Sequence, residues 1–538
     1  MDVKKYIRRF GIYVLTLIII IPQVHGSDKG VPDELGGLDE LGGLDEFITR
    51  GMDEWNIPGL AVSIVKDSEI IYEKGFGVRK LGEEAPVDEH TVFGVASTTK
   101  AMTATALGML VDEGKIGWDD RVRDHLPWFE LSDPWVSDVV TIRDLLTHQV
   151  GVGRMTGNRL VFMPNRNRRT ILEHIKNQPF EIPFRSGYVY SNMMYMVAGL
   201  IIESVEGVAW DDFLPARLFS PLNMSSASVS IKYIADGDNA AWPHQEINGV
   251  TQTIPRRNFD NVGPSASVNA SAHDMAQWML FNLGEPGKYK GQQIVSRSVM
   301  NDIYQPRHTF AMRDPLRNNF QAYAMGWSTG YYDHLRVLQH GGATDGINSL
   351  IMLVPELELG IFVAGNIFCN LRPAIARWVI DAMLGVEREH DWHELYLEQN
   401  QAEKETIMQR RRTIEDGRIK GTTPSLSPQE YTGQYHDKLY DDLEVRVGDN
   451  GKLEICFWDD PSMVADLEHW HYDTFRASWR NPAMLEKFVW FDLDQDGRVR
   501  QLNVKFTLRP LMIEAGLYPA DYTRVVEYKK KEGGTAGR

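Results

Sequence analysis

Cysteine is scarce in this 538-residue chain: Cys369 and Cys456 are the only two. A single internal disulfide is the most they can form, and sequence does not say whether their Cα atoms come within bridging distance. A bridge would staple together two segments read below as different domains, as a secreted chain permits. Positive charge is also short, with a formal net charge of −17. That balance argues against nucleic acid as a partner and leaves either simple solubility or association with cations and mineral surfaces. Beyond residue 21 no run is long and apolar enough for a membrane helix. The chain lacks a G-x-S-x-G nucleophile elbow, which weighs against an α/β-hydrolase. The stretch His469-Trp470-His471-Tyr472-Asp473 opens like a zinc motif, but Thr474 stands where the next ligand is due. Residues 492–497 open like an EF-hand loop, but Asn503 fills the acidic twelfth position. No metal and no cofactor are expected.

What is present begins with a basic cluster, Lys4, Lys5, Arg8 and Arg9, followed by an apolar stretch over 10–21 and Pro22. This pattern predicts a signal peptide over 1–26 and therefore secretion to the extracellular space, with no membrane span once it is removed. An acidic Gly-rich repeat follows as a leader over 27–43. A helix is expected over 44–55, a strand pair near 60–65 and 69–72, and a helix from Ser97 toward Gly114. Strand-like runs return at 337–339, 349–354 and 359–363. Strands at both ends with helices between them imply one mixed sheet closed by distant segments, in a single domain over 44–387. A charged helical linker spans 388–428. Alternating residues such as Leu443, Val445, Val447 and Leu453, Ile455, Phe457 flank Asn450-Gly451, so 429–525 reads as a small β-barrel domain, with a flexible tail over 526–538. The sequons at Asn223 and Asn269 are candidate glycosylation sites of a secreted chain.

The central chemical motif is Ser97-Thr98-Thr99-Lys100. A serine hydroxyl needs a base beside it, and positions i and i+3 share a helix face, so the Lys100 amine can reach Ser97 Oγ. A second S-x-x-K, Ser63 to Lys66, falls on an expected strand, where i and i+3 point to opposite faces, and is read as a decoy. Tyr190-Ser191-Asn192 lies downstream at the start of an apolar helix, and His340-Gly341-Gly342-Ala343 follows the short strand at 337–339.

The order S-x-x-K, Y-x-N, H-G-G resembles the β-lactamase-like serine hydrolases: class C β-lactamases, penicillin-binding proteins, D-stereospecific peptidases and related esterases. The resemblance covers about 44–384 and is supported by Ile57-Pro58-Gly59, Leu145-Leu146-Thr147-His148, Met325-Gly326-Trp327 and Gly346-Ile347-Asn348-Ser349. It implies an α+β fold, a mixed sheet flanked by helices with a helical subdomain, ahead of the C-terminal barrel-like domain. It also implies that Ser97 attacks an acyl carbonyl, that Lys100 and Tyr190 handle the proton, and that Asn192 orients Lys100 or binds the substrate amide. The N–H groups of Ser97 and Ala343 would form an oxyanion hole beside Gly341 and Gly342. The antibiotic-hydrolysing members carry Lys-Thr-Gly where this chain has His340, Gly341 and Gly342, so a grip on a substrate carboxylate is weakened. The expected function is a secreted serine hydrolase acting on a small-molecule or peptide ester or amide, with weak or no β-lactamase activity. The alternative is an acidic extracellular matrix or mineral-associated protein that keeps the fold without the activity.

Overall fold

The computed structural model describes residues 41–152, 166–247, 249–309, 321–386, 390–481, 487–507 and 523–531. The expected signal peptide, the leader up to residue 40 and tail residues 532–538 lie outside the described residues.

Helix α1 (Leu44–Trp55) buries Leu44, Phe47, Ile48, Gly51 and Met52, the i, i+3, i+4 stripe of an amphipathic helix. The strand β1 (Gly59–Lys66) turns through Asp67 and Ser68, both at positive φ, into β2 (Glu69–Gly77). Two left-handed residues match the twist of a two-residue hairpin. After a long helical excursion come β3 (His308–Thr309), β4 (Ala322–Tyr323), β5 (Ser328–Tyr332), β6 (Leu335–Ala343), β7 (Asn348–Val354) and β8 (Leu359–Gly365). They form one sheet in the order β2-β1-β8-β7-β6-β5-β4-β3. The first and last segments of the domain meet where β1 pairs β8, Leu60 opposite Gly365. The reading of a mixed sheet is refined here: every ladder is antiparallel. The connections from β5 through β8 are short turns, which reverse the chain and leave no room for a parallel crossover.

Both faces of the sheet are covered, which is why its central strands read as unbroken apolar runs. Leu60, Val62, Ile64, Met352, Ile361 and Val363 pack against α1 and the helix Leu371–Met383. Gly51 permits that contact, since a Cβ there would stand 2.5 Å from Leu371 Cδ1. Ala61, Val65, Ile351, Leu353, Phe362 and Ala364 face the other way, into the core that holds α2 (Thr99–Asp112), α3 (Asn192–Glu206) and α4 (Ala272–Asn282).

A helix over Trp392–Asp416, N-capped by Asp391, leads to a closed eight-stranded antiparallel barrel from Gly433 to Lys530. The barrel's last strand is Thr523–Lys530, which pairs back onto the first through Tyr435 and Lys530. The barrel therefore runs past the expected boundary at residue 525, and residues 526–530 are not tail. Val526 and Tyr528 are buried in alternation, so that strand is needed to close the core. Cys369 and Cys456 are both buried free thiols, so no bridge staples the domains. The linker instead docks on the barrel through Arg418, which lies 4.9 Å from the Trp470 ring and donates to the His469 and Trp470 carbonyls; the barrel's own Arg476 also lies 4.6 Å from that ring.

Candidate active site

Ser97 sits in a single 3-10 turn, Ala96–Thr98, just ahead of α2. The sequence reading starts the α-helix at Ser97; the structure starts it at Thr99. Ala96 is responsible, because its φ of 50° lies in the left-handed region and breaks helical geometry. Such strain persists only where the surroundings impose it. Here Val95 O accepts bonds from Thr98 Oγ1 (2.9 Å) and Ser349 Oγ (2.8 Å), and Val95 N–H donates to Val268 O (2.9 Å). Strand β6 closes in from the side: a Cβ on Gly342 would stand 2.1 Å from Val95 O. Gly342→Ala should therefore displace the turn, costing about 1–3 kcal/mol of stability and lowering kcat. Thermal melts and ester turnover check this, and an unaltered kcat would refute the coupling.

Lys100 is fully buried on the first turn of α2. Its Nζ lies 3.1 Å from Ser97 Oγ, 2.8 Å from Asn192 Oδ1 and 2.9 Å from Ser265 O. Burial pulls its pKa well below the ordinary lysine range. The neutral amine fits the three partners as well as the ammonium does. Two N–H groups serve Asn192 and the Ser265 carbonyl, and the lone pair then faces the Ser97 hydroxyl. Tyr190 donates its phenol to Ser97 Oγ at 2.8 Å, and Lys100 Nζ stands 4.7 Å from the Tyr190 ring centroid. The S-x-x-K and Y-x-N motifs thus meet at one oxygen atom.

The third motif is built differently from expectation. Strand β6 does not stop at Gln339 but runs through Ala343, so His340-Gly341-Gly342-Ala343 is strand rather than loop. The partner strand β7 continues the ladder to Ala343 opposite Asn348, whereas β5 pairs only as far as Gln339. Past that point β6 offers one edge beside the Ser97 turn. Side chains alternate along it: His340 and Gly342 are buried, while Gly341 and Ala343 are exposed. His340 Nδ1 lies 2.8 Å from Gly341 O, and its Nε2 lies 3.0 Å from the Tyr323 hydroxyl. The carbonyl can only accept, which assigns the proton to Nδ1 and makes Tyr323 the donor to Nε2. Burial, with Lys100 nearby, pushes the His340 pKa down to about 3.

Family comparison decides what this arrangement belongs to. Residues 44–383 match the family model Beta-lactamase, and residues 417–515 match a domain of unknown function, DUF3471. The chain belongs to the Beta-lactamase family. It is 28% identical over 428 residues to "Unguisins hydrolase ungD'" of Aspergillus campestris (strain IBT 28561), covering 74% of this chain and 76% of the relative. It is also 28% identical over 332 residues to "Protein flp" of Staphylococcus aureus (strain NCTC 8325 / PS 47), covering 61% of this chain and 63% of the relative. The octameric penicillin-binding protein homologue from Pyrococcus abyssi superposes with a TM-score of 0.59 at 20% identity, covering 86% of this chain and 98% of that one. The crystal structure of SurE gives 0.54 at 18%, covering 86% and 97%. These two structures share the fold.

Within this β-lactamase-like site, sequence reasoning missed a layer behind the nucleophile. His148 Nδ1 accepts the Ser191 N–H at 3.1 Å, and the rings of Tyr190, Tyr323, Tyr195 and Tyr188 surround it at 4.6, 4.8, 5.3 and 5.6 Å. This packing fixes the Tyr190 ring over Lys100. His148 lay in a quoted motif and Tyr323 stood two residues from another, but only their convergence reveals the layer. The decoy Ser63 is buried elsewhere and donates to Ala272 O at 2.8 Å, while Lys66 pairs with Asp67.

The two sequons part company. Asn223 is exposed in a turn. Asn269 is buried, and its amide nitrogen donates to Ser267 O at 3.1 Å. A glycan needs that nitrogen at the surface, so the Asn269 site is withdrawn. Among the described residues the group with ligand geometry for a metal is His436, Asp441 and Asp442. Lys531 and Arg166 already neutralise its carboxylates.

Proposed function

We propose that this protein is a secreted serine hydrolase that forms an acyl-enzyme at Ser97 on an ester or amide. The observation that carries the reading is the convergence of Lys100 Nζ and the Tyr190 phenol on Ser97 Oγ. Lys100, its pKa lowered by burial, takes the Ser97 proton as Oγ bonds to the acyl carbon. Tyr190 keeps a hydrogen bond to Oγ and relays a proton to the leaving group, which departs as the neutral alcohol or amine. Water then attacks the acyl carbon, returning a proton to the same pair and releasing the acid. The backbone N–H groups of Ser97 and Ala343 stabilise the oxyanion, with Gly341 and Gly342 keeping the edge of β6 open. A relative named as a hydrolase supports the reaction class. The basic and apolar N-terminus supports secretion, and the exposed Asn223 is the glycosylation site that secretion would use.

The alternative, an acidic extracellular matrix or mineral-associated protein, draws on the net charge of −17. An inert scaffold has no need to bury a lysine against a serine, so catalysis is the better account. Labelling with a fluorophosphonate probe separates them: a covalent adduct supports the hydrolase, and an unlabelled folded protein refutes it.

The third motif shapes specificity. With its pKa near 3, His340 is uncharged at neutral pH, and Gly341 brings no hydroxyl. A carboxylate beside the scissile carbonyl then loses a charge-assisted contact worth about 1.5–3 kcal/mol, or roughly ten- to a hundredfold in kcat/KM. A p-nitrophenyl ester should be hydrolysed much better than nitrocefin. The reverse order would overturn this reading of His340 and Gly341.

A further inference from the structure

At the end of the third motif away from His340, a cavity of about 50 Å³ opens beside the nucleophile turn, lined by Gly94, Asn269, Thr344, Arg256, Arg257 and Phe259 among others. Gly94 lies three residues ahead of Ser97, and Thr344 directly follows Ala343. A Cβ added at Gly94 would meet only Asn269 Oδ1 at 3.6 Å and Thr344 Oγ1 at 3.9 Å, so the mouth is open and polar. The cavity shares Val92 and Ile234 with a larger open cavity of about 910 Å³, which gives a longer chain somewhere to continue.

The cavity is lined by two arginines and two aspartates, so its formal charge cancels, but the ion pairs around it are not equally close. Arg257 Nε is 2.7 Å from Asp345, and Asp260 is 3.1 Å from Lys232. Arg256 has no such close partner among the described residues. Its side chain is only 12% exposed, and its nearest carboxylate, Asp236, stands 3.8 Å away and is itself 87% exposed. The guanidinium lies 4.2 Å from the Trp242 ring centroid and donates to Ala240 O at 3.1 Å. Burial lowers its pKa, against the opposing pull of Asp236 and Asp238. A largely buried arginine held by a ring and a carbonyl keeps donors for a planar anion.

We propose that this cavity is an acyl-chain subsite, and that Arg256 receives a terminal carboxylate of the substrate. The proposal rests on the hydrolase reading above and names the substrate class: esters or amides of acids whose chain ends in a second acidic group. The subsite is distinct from the third-motif position. Four residues of extended backbone separate His340 from Thr344, about 13 Å at ~3.3 Å per residue. The second acid must therefore be carried several bonds from the scissile carbonyl, unlike the carboxylate of a β-lactam.

The test compares p-nitrophenyl monoesters of adipic and suberic acid with the uncharged hexanoate and octanoate esters of equal acyl length. The full-length protein should favour the acid-tipped member of at least one pair by about ten- to a hundredfold in kcat/KM, mainly through KM, and added salt should erode the preference. Arg256→Gln should bring the ratio close to one, and Arg256→Lys, which keeps the charge, should restore most of it. No acid preference in the wild-type protein, or a full preference in Arg256→Gln, overturns the subsite while leaving the hydrolase reading intact. If neither series were turned over and Ser97 took no probe, the hydrolase reading would fall and the subsite with it.

Discussion

Ser97→Ala is expected to abolish fluorophosphonate labelling and to lower ester turnover by on the order of 10⁴- to 10⁶-fold, because Lys100 Nζ and the Tyr190 phenol both converge on Ser97 Oγ. The fold should survive. Ser97 sits in a turn whose shape is set by Val95, Ser349 and Gly342 rather than by its own side chain. Ser63→Ala is the matched control, since it carries the same S-x-x-K spacing. That change removes one buried hydrogen bond to Ala272 O, costing about 1 kcal/mol, and should leave labelling intact. Peptide mapping of the adduct decides the matter. An adduct on any serine other than Ser97, or turnover within tenfold of wild type in Ser97→Ala, would remove the nucleophile assignment.

Changing either member of the proton-handling pair should be nearly as costly. Tyr190→Phe keeps the ring that packs on His148 and loses only the phenol, so kcat on an ester should fall by about 10²- to 10⁴-fold with little change in thermal stability. Lys100→Met should lose at least as much activity yet stabilise the fold. Burial lowers the Lys100 pKa in the folded state, so across the window between that lowered value and the ordinary lysine value the unfolded chain binds more protons. Stability in that window rises with pH, and the native lysine is a net cost to folding there. In the wild-type enzyme, kcat should fall on the acidic side as the Lys100–Tyr190 pair gains a proton, with an apparent pKa that belongs to the pair. A Tyr190→Phe enzyme with unchanged kcat would refute the phenol's part. An acidic limb that survives Lys100→Met in the residual activity would refute the lysine's.

Much of this site was legible in the residue string because helix and strand periods act locally. Ser63 and Lys66 lie on a strand as expected, and Ser97 and Lys100 lie within reach of one another, although Ser97 sits in the turn ahead of α2 rather than on the helix. The Asn269 sequon failed for the opposite reason. A three-residue motif says nothing about burial, and Asn269 is enclosed by segments far away in the chain. The H-G-G segment was expected to follow the strand over 337–339 but lies inside it, although two glycines are the usual sign of a turn. Here they serve a close approach, with Gly342 set against Val95 O. The barrel boundary was misplaced because its last strand is needed only to close a ladder whose other members lie well upstream.

By itself, the sequence determined the family resemblance, the apolar strands and Ser97 as the candidate nucleophile, all of which depend on residue type and short-range spacing. Tertiary structure alone decided the charge states and the neighbours. Burial among α2, α3 and the Ser265 carbonyl lowers the Lys100 pKa well below its ordinary range, and burial beside Tyr323 lowers that of His340. Arg256, with Asp236 3.8 Å away, lies beside a cavity whose lining is drawn from residues between 92 and 347. Desolvation and through-space partners set these properties, and neither is encoded in any window of sequence short enough to read.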